Sequence, residues 1–109
     1  MGQINELVQN AHDTAREKGW WDTTQSFGTL IALCHSELSE ALEEYRAGES
    51  PHRIYHHSAK PEGIPIELAD VVIRIMDMCG YYEIDLEEAI RQKMEYNETR
   101  QYKHGGKLI

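Results

Sequence analysis

The chain has 109 residues and a formal net charge of −8. That length predicts one domain over residues 1–109, with a core too small to cover long helices unaided. The acidic balance excludes a nucleic-acid surface, where lysines and arginines neutralise phosphates, and an anionic small substrate would need bound divalent cations to offset the local charge.

Apolar periodicity then divides the chain into four helices. The N-terminal segment MGQINELVQN has no apolar signal-like core, so residues 3–18 read as the first helix. Its stripe is Ile4, Leu7, Val8, Ala11 and Ala15, and Gly19 stops it. The second helix reads from Thr24 to Ala47 through Phe27, Leu30, Ile31, Cys34, Leu38, Ala41, Leu42 and Tyr45, with Gly48 as terminator. Residues 49–63 read as a loop carrying Pro51, Pro61 and Gly63. His52, His56 and His57 lie there without a cysteine or acidic residue at zinc-ligand spacing.

The third helix starts near Pro65, a good first-turn proline, and runs to Cys79 with Gly80 as its stop. The fourth starts at Asp85, with Glu88 three residues on as a capping box, and runs to Thr99. RQYKHGGKLI closes the chain as a basic tail, and its Gly-Gly-Lys lacks the spacing of a phosphate-binding loop. No segment alternates with period two, so no sheet is expected. The expected fold is all-α, a four-helix bundle completed by oligomerisation. Cys34 and Cys79 sit in apolar helical patterns, which fits buried thiols in a cytoplasmic setting. No apolar run approaches the ~18 residues that cross a bilayer, so no membrane partner is expected.

Acidic residues on apolar faces carry the functional signal. Glu37 lies about 20° from Leu30 around the second helix, and Glu40 follows on an adjacent line, with Glu44 between them in angle. The third helix is apolar over most of its circumference: Ile66, Leu68, Val71, Val72, Ile73, Ile75, Met76 and Met78 all belong to it. Such a helix should be buried nearly all round. Yet Glu67, Asp70, Arg74 and Asp77 form one polar line along it. Unpaired buried carboxylates cost several kcal/mol each and need cations. A Glu-x-x-Glu pair facing a Glu-x-x-Asp pair makes an all-oxygen site for a hard divalent ion, with magnesium favoured and manganese a plausible substitute. The alternative is a solvated acidic face. Arg74 is expected to neutralise Asp70 or Asp77 as an ion pair.

On the fourth helix Lys93 falls about 20° from Leu86, and Asn97 about 20° from Ile90, so both are expected to point inward. A cation and an amide four residues apart can address one phosphate-bearing ligand. The alternative is a lysine stem laid over apolar surface, or paired with a carboxylate. Trp20 and Trp21 follow Gly19 at a helix junction; they read either as a platform for a nucleobase or as a hydrophobic staple. His35, beside the acidic pair, reads as a core or surface histidine.

The order Glu37-x-x-Glu40 then Glu67-x-x-Asp70 resembles the MazG-like all-α nucleoside triphosphate pyrophosphohydrolases. So does Lys93-Met94-Glu95-Tyr96-Asn97, which looks like the lysine and asparagine segment of that family's last helix. Glu17-Lys18-Gly19-Trp20-Trp21 and the ending Tyr102-Lys103-His104-Gly105-Gly106-Lys107 are similar to small members as well. Near the start of the second helix relatives carry an asparagine, where this chain has Ser26 and Phe27.

The resemblance implies Mg2+-dependent hydrolysis of a nucleoside triphosphate, a dNTP in the first instance, to the monophosphate and pyrophosphate. It implies Glu37, Glu40, Glu67 and Asp70 as metal ligands and Lys93, Asn97 and Arg100 as phosphate or nucleotide contacts. Glu40 and Lys93 carry the catalytic roles in this reading, the first as general base and the second as a stabiliser of the leaving pyrophosphate. It also implies a homodimer or homotetramer, as does the apolar girth of the third helix. A dUTP, dCTP or phosphoribosyl-ATP pyrophosphatase on the same acidic helices is the nearest alternative. A non-catalytic helical interaction module is the alternative of a different class.

Overall fold

A computed structural model of the chain describes residues 2–100. The elements in order are α1 (Gln3–Glu17), α2 (Phe27–Arg46), β1 (Tyr55–His57), β2 (Lys60–Glu62), α3 (Ile64–Tyr81) and α4 (Leu86–Thr99). The protein is mostly helical. None of its described helices is long and apolar enough to cross a membrane.

The segment expected to be a loop contains a small antiparallel hairpin, with Tyr55 opposite Glu62, His56 opposite Pro61 and His57 opposite Lys60. Both faces of this ribbon are largely exposed, so it needs no apolar alternation. The Tyr55 hydroxyl donates to Glu44 of α2 and ties the hairpin to that helix. Gly63 follows with φ 116°, and a side chain there would run into the Arg53 carbonyl, so glycine is required at the turn into α3.

Helix ends follow local chemistry. Ser26, not Thr24, caps α2, its hydroxyl accepting from the Thr29 amide at 3.1 Å. The Asp85 carboxylate accepts from the Glu88 amide at 3.0 Å, the expected cap of α4. Gly19 and Gly48 terminate α1 and α2 in the left-handed conformation, with the Trp20 amide donating to the Ala15 carbonyl and Glu49 to Glu44.

Gly80 is not the stop of α3. The helix continues through it to Tyr81, and Glu83 (φ 55°) takes the left-handed position, with Ile84 donating to the Cys79 carbonyl at 2.9 Å. Gly80 has a different task. A Cβ there would lie 2.6 Å from Cβ of His12, so its absence lets α1 and α3 cross closely.

Within one chain the four helices form an open arrangement and not a closed bundle. α3 is central and packs on α1 and on α2, while α4 packs on α1; no close packing joins α1 to α2 or α2 to α4. The buried apolar set is small: Val8, Ala41, Ile64, Met78 and Cys79. Leu38, Leu42 and Tyr45 on α2, and Leu68, Val72 and Ile73 on α3, remain exposed. α3 is therefore not buried all round within one chain. The radius of gyration is 16.6 Å, well above the roughly 13 Å of a compact domain of this size.

Candidate metal centre and adjoining groove

The central helix presents its polar line in two places. Near its start, Glu67 and Asp70 meet Glu37 of α2. One carboxylate oxygen from each of the three lies within 4.8 Å of the others. The spacing of three leads one to expect four carboxylates here, and three of them converge. Glu37 and Glu67 are half-buried and Asp70 is exposed. Glu40 stands beside them and acts electrostatically on Glu67, but it is exposed and does not join the converging triple.

Glu67 is the strained member. Its Oε2 is shut away from solvent and has no hydrogen-bond partner among the described residues. Burial pushes its carboxyl up to about 7, helped by neighbouring Glu40 and then by Asp70 and Glu37. A cation placed among these carboxylates would satisfy that oxygen. The donor set, all carboxylate oxygen, suits a hard divalent ion such as magnesium and is unsuited to a soft one.

A single guanidinium offsets this charge. Arg74 donates through Nε to Oε1 of Glu37 at 3.0 Å, and its Nη2 makes an ion-pair contact with the same oxygen at 2.9 Å. The expectation that it pairs with Asp70 or Asp77 is corrected: its partner is on the neighbouring helix, which a helical wheel of α3 does not represent. Its Cζ also lies 5.2 Å from the ring centroid of Trp20, a cation–π contact with a side chain 61% exposed.

Arg74 and Trp20 line a groove of about 580 Å³, walled by Leu7, Ala11 and Thr14 of α1 and Ile73 of α3. Glu37 and Asp70 form part of the same wall, so the acidic cluster opens into the groove.

The other polar place on α3 is Asp77. Its Oδ1 accepts from Trp21 Nε1 at 2.8 Å and lies 2.8 Å from Nδ1 of His12. An ionised carboxylate only accepts, so His12 carries its proton on Nδ1. His12 is 8% exposed, and Trp21 stacks on Tyr81 with centroids 4.0 Å apart and planes 3° from parallel. Trp21 is therefore committed to packing and is withdrawn as a base-stacking platform; only Trp20 has a free face. His12 was missed in the sequence, although Ile4, Val8 and His12 recur every four residues along the apolar stripe of α1.

Lys93 and Asn97 on α4, and Arg100 just past its end, are exposed, and α4 buries no residue. Lys93 Nζ sits 5.2 Å from the Tyr96 ring, and Arg100 lies over the same ring at 5.8 Å. Among the described residues none of the three is hydrogen-bonded or ion-paired to the acidic cluster. The inward orientation expected of Lys93 and Asn97 is not realised in a single chain, because the face that Leu86 and Ile90 define has no opposing helix along most of its length. His35, His52, His56 and His57 are also exposed. The tail from residue 101 onward, including Tyr102 to Lys107, lies outside the described residues.

Set against protein-family models, curated proteins and solved structures, the chain matches none of them.

Proposed function

We propose that the protein is a magnesium-dependent nucleoside triphosphate pyrophosphohydrolase of the MazG-like kind, cleaving between the α and β phosphorus atoms. The observation that carries this reading is the convergence of Glu37, Glu67 and Asp70 around a buried Glu67 oxygen that has no partner. Those three residues would hold the ion, with Glu40 as the outer member of the quartet. Bound there, magnesium supplies charge neutralisation for a polyphosphate and lowers the pKa of a water. Glu40 is exposed beside Glu67, where an ionised carboxylate can accept a proton from that water. The groove floor of Leu7, Ala11 and Ile73, with Trp20 at its rim, excludes water from one side of a planar apolar group such as a base.

Assembly as a homodimer or homotetramer belongs to the same proposal. Among the described residues, Phe27, Ile31, Leu38, Leu42 and Tyr45 of α2 and Leu68, Val72 and Ile73 of α3 are exposed, an apolar surface that a monomer does not cover. A second copy is also the route by which Lys93, Asn97 and Arg100 reach a bound triphosphate, since α4 of the same chain does not bring them there.

The Arg74–Glu37 ion pair favours a second reading, in which the carboxylates form a structural network within a non-catalytic helical module. A panel of nucleoside triphosphates, assayed for pyrophosphate release with and without Mg2+ or Mn2+, separates the two. Metal-dependent release from at least one nucleotide is expected. No release from any nucleotide, together with no divalent-ion binding, leaves the structural network as the better account.

A further inference from the structure

We propose that Arg74 is a movable counter-ion, holding Glu37 in the metal-free protein and passing to the anionic part of the ligand when a divalent cation takes its place. This rests on the metal reading above and adds a residue that neither the acidic motif nor the α4 segment contains.

Three features carry it. First, both Arg74 nitrogens converge on one oxygen, Oε1 of Glu37, at 3.0 and 2.9 Å. A charge-assisted hydrogen bond from Nε and the close positive charge of Nη2 crowd the oxygen that would otherwise face a cation. The guanidinium and a divalent ion therefore compete for Glu37, and their like charges repel at this range.

Second, Arg74 is not locked. Its side chain keeps 29% of its exposure, and Nη1 has no hydrogen-bond partner among the described residues. Its other neighbour is the Trp20 ring at 5.2 Å, a contact that tolerates sliding.

Third, there is somewhere to go. The groove of about 580 Å³ that Arg74 lines also contains Glu37 and Asp70 on its wall. A phosphate drawn to a cation at those carboxylates would lie within the length of the arginine side chain, which springs from α3 one turn beyond Asp70. A planar guanidinium then meets phosphate oxygens as a two-pronged donor. One residue thus neutralises the empty centre and, once displaced, neutralises the ligand.

The test measures Mn2+ binding to the nucleotide-free full chain by titration calorimetry, for wild type, Arg74→Met and Arg74→Lys. Binding of a non-hydrolysable α,β-methylene nucleoside triphosphate at saturating Mn2+ follows. Arg74→Met should bind Mn2+ about ten-fold more tightly than wild type and bind the analogue about ten-fold more weakly. Arg74→Lys keeps the charge without the fork and should fall between them on both measures. Trp20 emission should shift on Mn2+ addition in wild type and remain unchanged in Arg74→Met. If wild type binds Mn2+ and Arg74→Met binds it equally or less tightly, the counter-ion role is overturned while the metal centre stands. If no variant binds Mn2+, the metal reading falls and takes this proposal with it. Should Arg74→Met fail to fold by circular dichroism, the ordering of Arg74→Lys against wild type decides by the same signs.

Discussion

The two ends of the polar line on α3 are built from the same residue types and come to opposite arrangements. At Asp77 one carboxylate meets a histidine N–H and an indole N–H under a stacked Trp21–Tyr81 pair. At Glu67 and Asp70 the carboxylates meet one another, with a single guanidinium and an oxygen left without a partner. A satisfied polar cluster fixes the crossing of two helices and requires nothing more. An unsatisfied one keeps a standing electrostatic deficit, which is what the proposed metal ion would relieve.

Substitution should separate the two ends. The largest effect is expected at the unsatisfied end. Glu37→Ala or Asp70→Ala should lower metal-dependent turnover by about 100-fold or more, worth roughly 2.7 kcal/mol, while circular dichroism stays helical. Wild-type rates in both variants would remove the acidic cluster from the chemistry.

Asp77→Ala should do the reverse. It strands the N–H groups of His12 and Trp21 in a poorly solvated place, so stability should fall by about 2–3 kcal/mol, or roughly 10–20 °C in Tm. Mn2+ affinity of the folded fraction should stay within about three-fold of wild type. An Asp77→Ala protein that melts normally but no longer binds metal would merge the two clusters into one.

A smaller effect concerns pH. The Glu67 carboxyl is pushed up to about 7 in the folded chain, above the 4.5 of the free group. Between those values the folded state holds more protons than the unfolded, so stability conferred at low pH is lost as pH rises through 7. Metal-free protein should melt a few degrees lower at pH 8 than at pH 5, and Glu67→Gln should flatten the difference. Magnesium at pH 8 should restore wild type and leave Glu67→Gln largely unaffected. Identical slopes in the two proteins would mean that the pH effect belongs to the net charge of the chain.

The smallest expected change lies outside both ends. Lys93→Met alters an exposed position on α4, so Tm should move by less than about 0.5 kcal/mol equivalent. Turnover should drop about ten-fold if a second copy delivers Lys93 to the triphosphate. Strong destabilisation with normal turnover per folded molecule would make Lys93 structural.

What could be read from the sequence was what is local. Gly19, Gly48 and the Asp85–Glu88 cap each act within one turn of themselves, and each lies where its residue type indicates. Three of the four expected acidic residues converge, because a spacing of three fixes a shared face on each helix and α2 and α3 do meet; Glu40 falls outside the triple. What failed was whatever depends on a neighbour. Gly80 looks like a stop until His12 of α1 is placed against it. Arg74 looks like a partner for its own helix until Glu37 arrives from α2. A wheel places Lys93 and Asn97 on the apolar face of α4, but it cannot say whether anything covers that face. The hairpin escaped because strands of three residues with exposed side chains leave no periodic trace.

One contact at the start of the chain has a consequence for the order of folding. Gly2 precedes α1 without a side-chain cap of its own. The missing acceptor comes from Glu87, whose Oε1 accepts from the Ile4 amide at 3.0 Å and from Asn5 at 3.2 Å, while Asn5 returns a bond to the Glu87 amide. The first turn of α1 is thus held by a residue 83 positions away. Until α4 arrives, those amides face only water, and the turn frays. Closing so long a loop carries an entropic cost that local helix formation does not, so the beginning of the chain is among the last parts to become protected from hydrogen exchange.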